Sequence, residues 1–348
     1  MLSEKQRMIV RSHDSKVVVN ARAASGKTNT MIERLRFLLE NGANPKKVVA
    51  ITFTNMAAAE ILDRLGNPQG LFVGTVHSLA NYFLLSSGID TSGIISEENF
   101  DELFEMVRRH PECIPEIDHL ILDEAQDSTQ LQLDFILEYI KPKNYMLVGD
   151  SIQSLYSWAG AVPEVFKGLR NMEGTRIYDL NENYRNGHNI LNYARKFAWK
   201  TGDEDDSVAM RSEDGQVVET EHSWEKMTEY VKRFGEPGEW FVLCRTNAQI
   251  EEASRYLQNA GVPFDTFKQS ELSRKELNEK MKENTVKILT VHAAKGLEAP
   301  FVYVMGCAPY STEEACVCYV AATRARDGLV WAKPVKKKKT RVKVSNWE

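Results

Sequence analysis

Residues 17–28 of this chain, VVVNARAASGKT, combine the residue types that can hold a phosphate group. Three β-branched residues predict a strand, a loop of small residues follows, and a segment with apolar residues at helical spacing comes next. The N–H groups at a helix N-terminus attract an anion, and a lysine beside them adds a positive charge. The pattern therefore predicts a phosphate site, whose residues are Ala23, Ala24, Ser25, Gly26, Lys27 and Thr28.

The loop departs from the pattern GxxxxGK[ST], which leaves a second interpretation open. Ala21 occupies the first glycine position, and Arg22 and Ala24 place side chains in a loop that is usually rich in glycine. A small-residue turn before a buried helix, without a ligand, is the alternative. Because alanine can adopt αR or β conformations, these side chains constrain the backbone torsion angles but need not abolish phosphate binding.

Two acidic residues, Asp123 and Glu124, directly follow the hydrophobic run at residues 119–122. Acidic residues at the carboxyl end of a buried strand lie on the ligand-binding edge of a parallel sheet. One carboxylate there can hold Mg²⁺, while its neighbour orients or deprotonates an attacking water. An acidic helix N-cap is the alternative interpretation.

Strands and helices alternate along most of the chain, which predicts an α/β fold with parallel sheets covered on both faces. The predicted domains are residues 1–170, with a small helical insertion at 78–118, and residues 175–348. A polar segment, residues 168–174, is the predicted linker, and the strand at residues 176–180 is expected to open the second series of elements. We predict an exposed acidic turn at residues 203–206.

The composition is typical of a globular protein, with 348 residues and 43% hydrophobic residues. No apolar run approaches the roughly 20 residues that span a bilayer, and the N-terminus lacks the apolar region of a signal peptide. We therefore expect a cytoplasmic protein without a membrane segment. The cysteines lack CxxC spacing, so we expect core positions rather than zinc ligands for Cys113, Cys244, Cys307, Cys316 and Cys318.

The net charge of −5 is distributed unevenly. Residues 333–348 carry a net charge of +6, which leaves −11 for the rest of the chain. Such a basic tail can follow the phosphates of a nucleic acid. A lysine-rich, protected edge strand of a sheet is the alternative interpretation.

The phosphate loop and the acidic pair belong to a set of ten motifs that extends from residue 2 to about residue 329. They are LSEKQ, ARAASGKT, ITFTNMAAAEI, GTVHSLA, LILDEAQD, VGDSIQSLYSWAGA, LNENYRNGHNIL, VLCRTNAQ, TVHAAKGLE and YVAATRARDGL. With this set the chain resembles the UvrD/PcrA/Rep family of superfamily 1 DNA helicases. The resemblance implies two RecA-like domains with a nucleotide cleft between them, ATP and Mg²⁺ as cofactors, and single-stranded DNA as the partner. It also implies a monomeric motor, with a replication, repair or recombination protein as a further possible partner.

The resemblance assigns the phosphate chemistry to residues of the first domain. Lys27 is expected to neutralise the β and γ phosphates, and Thr28 and Asp123 are expected to bind Mg²⁺. Glu124 corresponds to the base that positions water, and Gln153 corresponds to the γ-phosphate sensor.

The second domain is expected to complete the nucleotide site. Arg185 and Arg324 correspond to two arginine fingers, whose planar guanidinium groups suit the oxygens of a transferring phosphoryl group. Tyr184 is expected to stack on adenine, Gln6 to read the adenine edge, and Glu298 to hold the ribose or the motif around it.

The DNA contacts implied by the resemblance lie just beyond strand ends. Aromatic rings there can stack on unpaired bases without reading sequence, and polar side chains suit the backbone. The aromatic candidates are Phe53, His77, Tyr156 and Trp158, and the polar candidates are Thr54, Asn55, Thr290 and His292. Trp158 lies among small residues, so we expect its ring to be exposed.

Departures from the family also carry information. Ala159 stands where family members usually have arginine, so one link between the phosphate side and the DNA side is expected to be missing. Asn29 stands where they often have arginine, which weakens the expected adenine contacts. The family has two accessory insertions, each about the size of a domain. In this chain residues 78–118 leave room only for a small version of the first insertion, and almost nothing of the second remains between residues 267 and 286.

We predict an ATP-dependent translocase or helicase that moves 3′ to 5′ on single-stranded DNA. A regulatory or scaffold protein that binds DNA or a partner, with weak or no ATP use, is the alternative. A small-molecule kinase explains neither the second series of elements nor the GDSIQ and TRA motifs.

Overall fold

The structure of this chain is a computed structural model that describes residues 2–267 and 279–333. We label the helices α1 Glu4–Val10, α2 Lys27–Glu40, α3 Asn55–Leu65, α4 Val76–Ser86, α5 Ser92–Ser96, α6 Glu102–Arg109, α7 Gln130–Asp134, α8 Pro163–Leu169, α9 His188–Ala198, α10 Trp224–Arg233, α11 Asn247–Asn259 and α12 Thr312–Ala322. The strands are β1 Lys16–Ala21, β2 Val48–Ile51, β3 Phe72–Gly74, β4 His119–Leu122, β5 Asn144–Gly149, β6 Arg176–Leu180, β7 Glu182–Asn183, β8 Val208–Ala209, β9 Gln216–Glu221, β10 Trp240–Cys244, β11 Phe264–Phe267, β12 Val286–Thr290, β13 Ala299–Met305 and β14 Ala325–Lys333. A π-helical segment, Phe135–Ile140, continues α7.

The first sheet has the strand order β3-β2-β4-β5-β1-β6, with all neighbouring strands parallel. Its inner strands are continuous hydrophobic runs, and every residue of β2 is buried. Such runs are expected where helices cover both faces of a parallel sheet. The carboxyl ends of β1, β2, β4 and β5 therefore share one edge, which gathers the loops that carry the first-domain motifs.

The second sheet has the order β11-β12-β10-β13-β14-β9, and its neighbouring strands are also parallel. Strand β10 is buried along its whole length. The two parallel sheets confirm the predicted α/β class.

A shared hydrophobic core joins the two sheets through α12. From Ala315 to Ala322 every residue of this helix is buried, so this part of the helix has no solvent face. A helix that is apolar all round must be covered on all sides. One side of the cover comes from the first domain, since Ile152 and Leu155 belong to the same core cluster as Val317 and Val320.

Strand β6 corrects the predicted start of the second series of elements. Residues 176–180 were expected there, but β6 pairs in parallel with β1 at the edge of the first sheet. Three residues of β6 are exposed, and only Leu180 is buried. A strand with so little buried surface gives no sequence signal for which sheet it joins.

The helical insertion lies between β3 and β4, as predicted, and contains α4, α5 and α6. Leu103, Phe104 and Val107 of α6 pack into the core below the first sheet. The insertion is thus anchored on the first domain.

The predicted acidic turn at residues 203–206 is not simply exposed, which is a second correction. Asp205 is buried, and Asp203 and Asp206 make ion pairs with Lys167 and Arg22 of the first domain. Charges that are partly removed from water need such partners.

All five cysteines are buried and unpaired, as expected for core positions. In the part of the chain that the structure describes, no helix is both long and apolar enough to cross a membrane.

The buried strand β10 makes a stability test of the second sheet possible. Leu243 is fully buried there, and Leu243→Ala should lower the free energy of unfolding by about 2–5 kcal/mol because it leaves a cavity. Val218→Ala, on the edge strand β9, is the matched control, and its effect should be within about 0.5 kcal/mol. Urea denaturation followed by circular dichroism measures both, and equal effects would contradict the placement of β10 as a buried inner strand of the second sheet.

Candidate functional site

The phosphate loop, residues 22–26, contains two residues in the left-handed conformation. Gly26, the N-cap of α2, has a φ of 80°, and Ala24 has a φ of 57°. The second value corrects the expectation of αR or β conformations at Ala24. Left-handed backbone costs a residue with a β-carbon about 1–2 kcal/mol, so surrounding contacts must hold it. One such contact is the hydrogen bond from Tyr184 N to Ala24 O at 3.1 Å.

Gln6 lies against the phosphate loop and supports it. Its Nε2 donates to the carbonyl oxygen of Ser25 at 2.9 Å, and its Oε1 accepts from the backbone N–H of Ser3 in the capping box of α1. A β-carbon at position 26 would lie 2.6 Å from Gln6 Nε2, which explains the glycine. Because both ends of the amide are occupied here, the adenine contact of Gln6 stays a prediction.

The hydroxyl of Ser25 fits a phosphate ligand. It is buried and lacks a hydrogen-bond partner among the described residues, although buried polar groups are nearly always paired. Ala23 is buried beside it in the loop, and Thr28 lies in the first turn of α2. The loop therefore offers an unpaired hydroxyl, a helix N-terminus and the Lys27 ammonium, which together suit the phosphates of a nucleotide.

Glu124 lies between two lysines, one from each domain. Lys27 Nζ is 3.3 Å from both carboxylate oxygens, and Lys295 Nζ is 3.2 Å from Oε2. Lys295 also pairs with the buried Asp127. Gln126 Nε2 donates to Glu124 Oε2 at 2.5 Å, and Glu124 itself has a left-handed φ of 52°. Such backbone strain in a non-glycine residue is concentrated at functional sites.

The neighbouring carboxyl groups of Asp123 and Glu124 ionise differently. Burial and the negative charge of Glu124 raise the pKa of Asp123 to about 6. Burial also acts to raise the pKa of Glu124, but Lys27 and Lys295 outweigh burial and hold that pKa well below its usual value. Glu124 is therefore a carboxylate, which is the form that can orient or deprotonate water.

Arg324 of the second domain contacts Gln153, the predicted γ-phosphate sensor. Its Nη2 donates to Gln153 Oε1 at 3.4 Å, and its Nη1 donates to the carbonyl oxygen of Leu297 at 3.2 Å. Burial and the nearby Arg185 lower the pKa of Arg324 to about 9. Arg185 donates to Glu298 at 2.5 Å and to the carbonyl oxygen of Thr323 at 3.0 Å.

Two buried asparagines connect the phosphate loop to these arginines. Asn183 Nδ2 donates to Ala23 O at 3.0 Å and to Asn186 Oδ1 at 2.8 Å. Asn186 in turn donates to the carbonyl oxygen of Thr323, beside Arg324. The two asparagines therefore link the phosphate loop to the backbone next to Arg324. Tyr184 is half exposed beside this connection, and its hydroxyl donates to Glu182.

Comparisons with known proteins identify the family of this chain. A family model of the UvrD/REP helicase N-terminal domain matches residues 2–110 and 98–172, and one of the UvrD-like helicase C-terminal domain matches residues 266–333. The chain belongs to the UvrD-like helicase family. This confirms the resemblance seen in the motifs.

Individual relatives are distant from this UvrD-like chain. DNA helicase II of Escherichia coli is 24% identical over 76% of the chain and 51% of the relative. A probable DNA helicase of Mycoplasma pneumoniae is 24% identical over 94% of the chain and 82% of the relative. The Gabija protein GajB of Bacillus cereus is 25% identical over 78% of the chain and 65% of the relative. The chain thus spans about half the length of DNA helicase II.

The candidate DNA surface of this UvrD-like chain is an aromatic cluster, which we define as Phe53, Tyr156, Trp158 and His292. The rings of Phe53 and Tyr156 stack with centroids 4.4 Å apart, and Trp158 and His292 lie 6.2 and 6.0 Å from Tyr156. Trp158 is 71% exposed, as predicted, and Phe53 is 39% exposed, whereas Tyr156 is buried. The cluster therefore draws on both domains and presents Trp158 and Phe53 to solvent.

His77 lies apart from this cluster and is covered by the insertion. Its ring stacks on Phe104 with centroids 4.9 Å apart, and its Nε2 is 3.1 Å from Asp101 Oδ1. His77 lines the same cavity of about 320 Å³ as Phe53 and Tyr156. Its predicted DNA contact stays a prediction.

The predicted polar DNA contacts lie at turns. Thr54 Oγ1 accepts from Ala57 N and caps α3, and Thr290 Oγ1 accepts from Ala293 N, each at 3.2 Å. Asn55 is exposed in the first turn of α3. The two hydroxyl groups can still accept a further hydrogen bond, since each has two lone pairs.

Four residues of the site were not singled out from the sequence. Lys295 and Asp127 form the ion pair beside Glu124, and Asn183 and Asn186 join the phosphate loop to the second domain. All four lie inside quoted motifs, TVHAAKGLE, LILDEAQD and LNENYRNGHNIL. The sequence signal that could have identified them is a charged or amide side chain within one of these motifs.

The exposed indole of Trp158 makes a DNA-binding test possible. Stacking of one base on an aromatic ring contributes about 1–3 kcal/mol, so Trp158→Ala should weaken single-stranded DNA binding by about tenfold or more. DNA-stimulated ATP turnover should fall more than basal turnover. The control is Trp199→Ala, since Trp199 is 81% exposed and lies outside the aromatic cluster. Fluorescence anisotropy measures binding, and equal effects of the two substitutions would contradict the assignment.

The Lys295–Asp127 pair predicts a coupling in stability. Lys295→Met leaves Asp127 buried without its cation and should destabilise the protein by about 3–5 kcal/mol. Adding Asp127→Asn should restore part of that loss, because the neutral amide retains the carbonyl oxygen that accepts from Leu155 N. Urea unfolding of the two single variants and the double variant measures the coupling, and strictly additive effects would contradict it.

Proposed function

We propose that this chain hydrolyses ATP in response to single-stranded DNA and translocates along it in the 3′ to 5′ direction. The observation that supports this most is the contact of second-domain cations with the first-domain catalytic residues. Arg324 Nη2 lies 3.4 Å from Gln153 Oε1, and Lys295 Nζ lies 3.2 Å from Glu124 Oε2. A site that needs both domains makes hydrolysis depend on cleft closure, which is the physical basis of a motor.

The phosphate chemistry falls on residues of the first domain. Lys27 and the phosphate loop bind the β and γ phosphates, and Glu124 orients and deprotonates the attacking water. Thr28 and Asp123 would hold Mg²⁺, which supplies positive charge to the phosphates when it is bound. Among the described residues, no group of three or more His, Cys, Asp or Glu side chains is arranged to hold a metal. The hydroxyl oxygen of Thr28 and the carboxylate oxygens of Asp123 are the type of ligand that Mg²⁺ prefers when it binds together with a nucleotide.

The second domain contributes the charge that the transition state requires. Arg185 and Arg324 act as arginine fingers, and Gln153 senses the γ-phosphate. Both arginines are held by backbone carbonyl oxygens, so their guanidinium groups are oriented before the nucleotide binds. Tyr184 stacks on adenine, Glu298 orients Arg185 near the ribose, and Gln6 contributes to the adenine side.

The DNA partner follows from the aromatic cluster and the family. Relatives of the chain are named as DNA helicases, including an ATP-dependent DNA helicase PcrA of Staphylococcus epidermidis. Aromatic rings without base-specific hydrogen bonds suit single strands of any sequence. Trp158 and Phe53 stack on bases, while Thr54, Asn55, Thr290 and His292 contact the backbone.

A regulatory DNA-binding protein with weak or no ATP use is the second candidate. Ala159 favours it, because family members usually have an arginine at this position. The test therefore measures ATP hydrolysis rather than DNA binding alone.

The test compares steady-state ATP hydrolysis with and without single-stranded DNA. We expect strong stimulation by DNA. Lys27→Ala and Glu124→Gln should each reduce turnover by about a hundredfold or more, because each removes charge from the transition state or the water. The motor would be contradicted, and the regulatory protein favoured, if DNA does not stimulate wild-type turnover and both variants turn over ATP as fast as the wild type. Displacement of streptavidin from the 3′ or 5′ end of labelled DNA then reports direction.

A further inference from the structure

Arg22 fills the phosphate loop with a buried guanidinium that has three separate partners. Its Nη1 donates to Asp150 Oδ1 at 3.1 Å, its Nε donates to Asp206 Oδ1 at 2.9 Å, and its Nη2 donates to the carbonyl oxygen of Glu204 at 2.5 Å. The first partner follows β5 of the first sheet, and the other two belong to residues 203–206, which we call the acidic segment. Arg22 therefore joins the phosphate loop to two other parts of the molecule.

One path from Arg22 runs through the first domain to the γ-phosphate sensor. Asp150 is fully buried, and its second oxygen, Oδ2, accepts from Gln153 Nε2 at 2.6 Å. The other end of that amide, Oε1, accepts from Arg324 Nη2 at 3.4 Å. The orientation of the Gln153 amide is thus set on one side by the carboxylate that Arg22 holds.

A second path runs through the acidic segment to the helix that precedes Arg324. The hydroxyl of Tyr319, in α12, donates to Asp205 Oδ2 at 3.0 Å, and Arg195, in α9, donates to the Asp205 carbonyl oxygen at 3.2 Å. These contacts fix the segment to the second domain, and Arg22 fixes it to the phosphate loop. Arg324 follows the C-terminal end of α12, and its Nη2 donates to Thr323 Oγ1 at 3.2 Å, while the Thr323 hydroxyl donates to the carbonyl oxygen of Tyr319 at 2.9 Å. The two paths from Arg22 therefore meet at Arg324 and form a closed ring.

The acidic segment also contacts the first domain next to the sensor. Asp203 accepts from Ser151 Oγ at 2.5 Å and pairs with Lys167 at 3.0 Å. Ser151 lies in the same short turn, Ser151–Gln153, as the sensor. The acidic segment therefore contacts the first domain beside Gln153 as well as the second domain at α12.

We propose that Arg22 is a positioning residue that couples the phosphate loop to Gln153 and Arg324 through Asp150 and the acidic segment. The inference rests on the proposed ATP hydrolysis for its turnover readout. A planar guanidinium can bridge Asp150 and Asp206 at once, whereas an ammonium acts as a point charge. A small residue at position 22 would leave both carboxylates without this partner.

The experiment uses Arg22→Ala and Arg22→Lys in the full chain, with Arg170→Ala as the matched control. Arg170 pairs with Asp179 at 3.9 Å, outside the ring. DNA-stimulated kcat should fall about tenfold or more in Arg22→Ala and less in Arg22→Lys, because Gln153 loses its fixed orientation. Binding of ATPγS should change little, since Lys27 and Ser25 remain. Arg170→Ala should behave as wild type.

Asp206→Asn tests the acidic segment separately. It should lower kcat in the same direction but by less than Arg22→Ala, because the amide oxygen can still accept from Arg22 Nε although the ion pair is lost. Adding it to Arg22→Ala should cause little further loss, because both substitutions remove the same ion pair. Additive losses would overturn the inference. So would an equal loss of ATPγS affinity and kcat, since that result describes a collapsed loop rather than a misplaced sensor.

Amide hydrogen exchange provides a readout that does not need turnover. In wild type the amides of residues 203–207 should be protected, and Arg22→Ala should raise their exchange rates by about tenfold. Unchanged exchange would overturn the inference even if the wild type shows no DNA-stimulated hydrolysis. Faster exchange together with absent hydrolysis would support the ring and contradict only the proposed function.

Discussion

The charge on Glu124 is the constraint on which the two-domain arrangement depends. Glu124 shares its site with Asp123 and Asp127, which are both buried, and charges removed from water need opposite charges nearby. Lys27 comes from the helix after the phosphate loop, and Lys295 comes from the second domain. Separation of the domains would withdraw one of these cations. The ionisation of the Glu124 carboxylate and the contact between the domains therefore depend on each other.

Apolar packing supports the same arrangement. Because residues 315–322 of α12 are buried on all sides, they need the first domain as well as the second sheet to cover them. Arg324 follows the end of this helix, so the packing of α12 determines where the guanidinium can reach. Its backbone partners then hold it on Gln153 rather than in solvent. Burial of an arginine is costly, and this explains why each of its nitrogens has an acceptor.

Much of the fold could be predicted from the sequence, because buried parallel strands are continuous apolar runs. β2, β4, β5 and β10 were all visible in this way, and the residues that follow them meet at the ligand edge of a sheet. The partnership of β6 could not be predicted, since an exposed edge strand carries little pattern. The pairing of Arg22 with Asp206 spans 184 positions and is a tertiary contact, so a polar run of four residues looked like a solvated turn. The left-handed torsion of Ala24 also depends on contacts made elsewhere.

The alanine at position 159 is best understood from the charges around it. Ala159 lines the cavity of about 320 Å³ together with Asp123, Glu124 and Asp127. The arginine that family members usually carry there would introduce a cation next to these carboxylates. With alanine in its place, the cation on Asp127 is Lys295, whose ammonium also lies 5.7 Å from the centroid of the Tyr156 ring. A single lysine therefore contacts both the Glu124 carboxylate and the aromatic cluster, and it connects the proposed phosphate side to the proposed DNA side without the arginine.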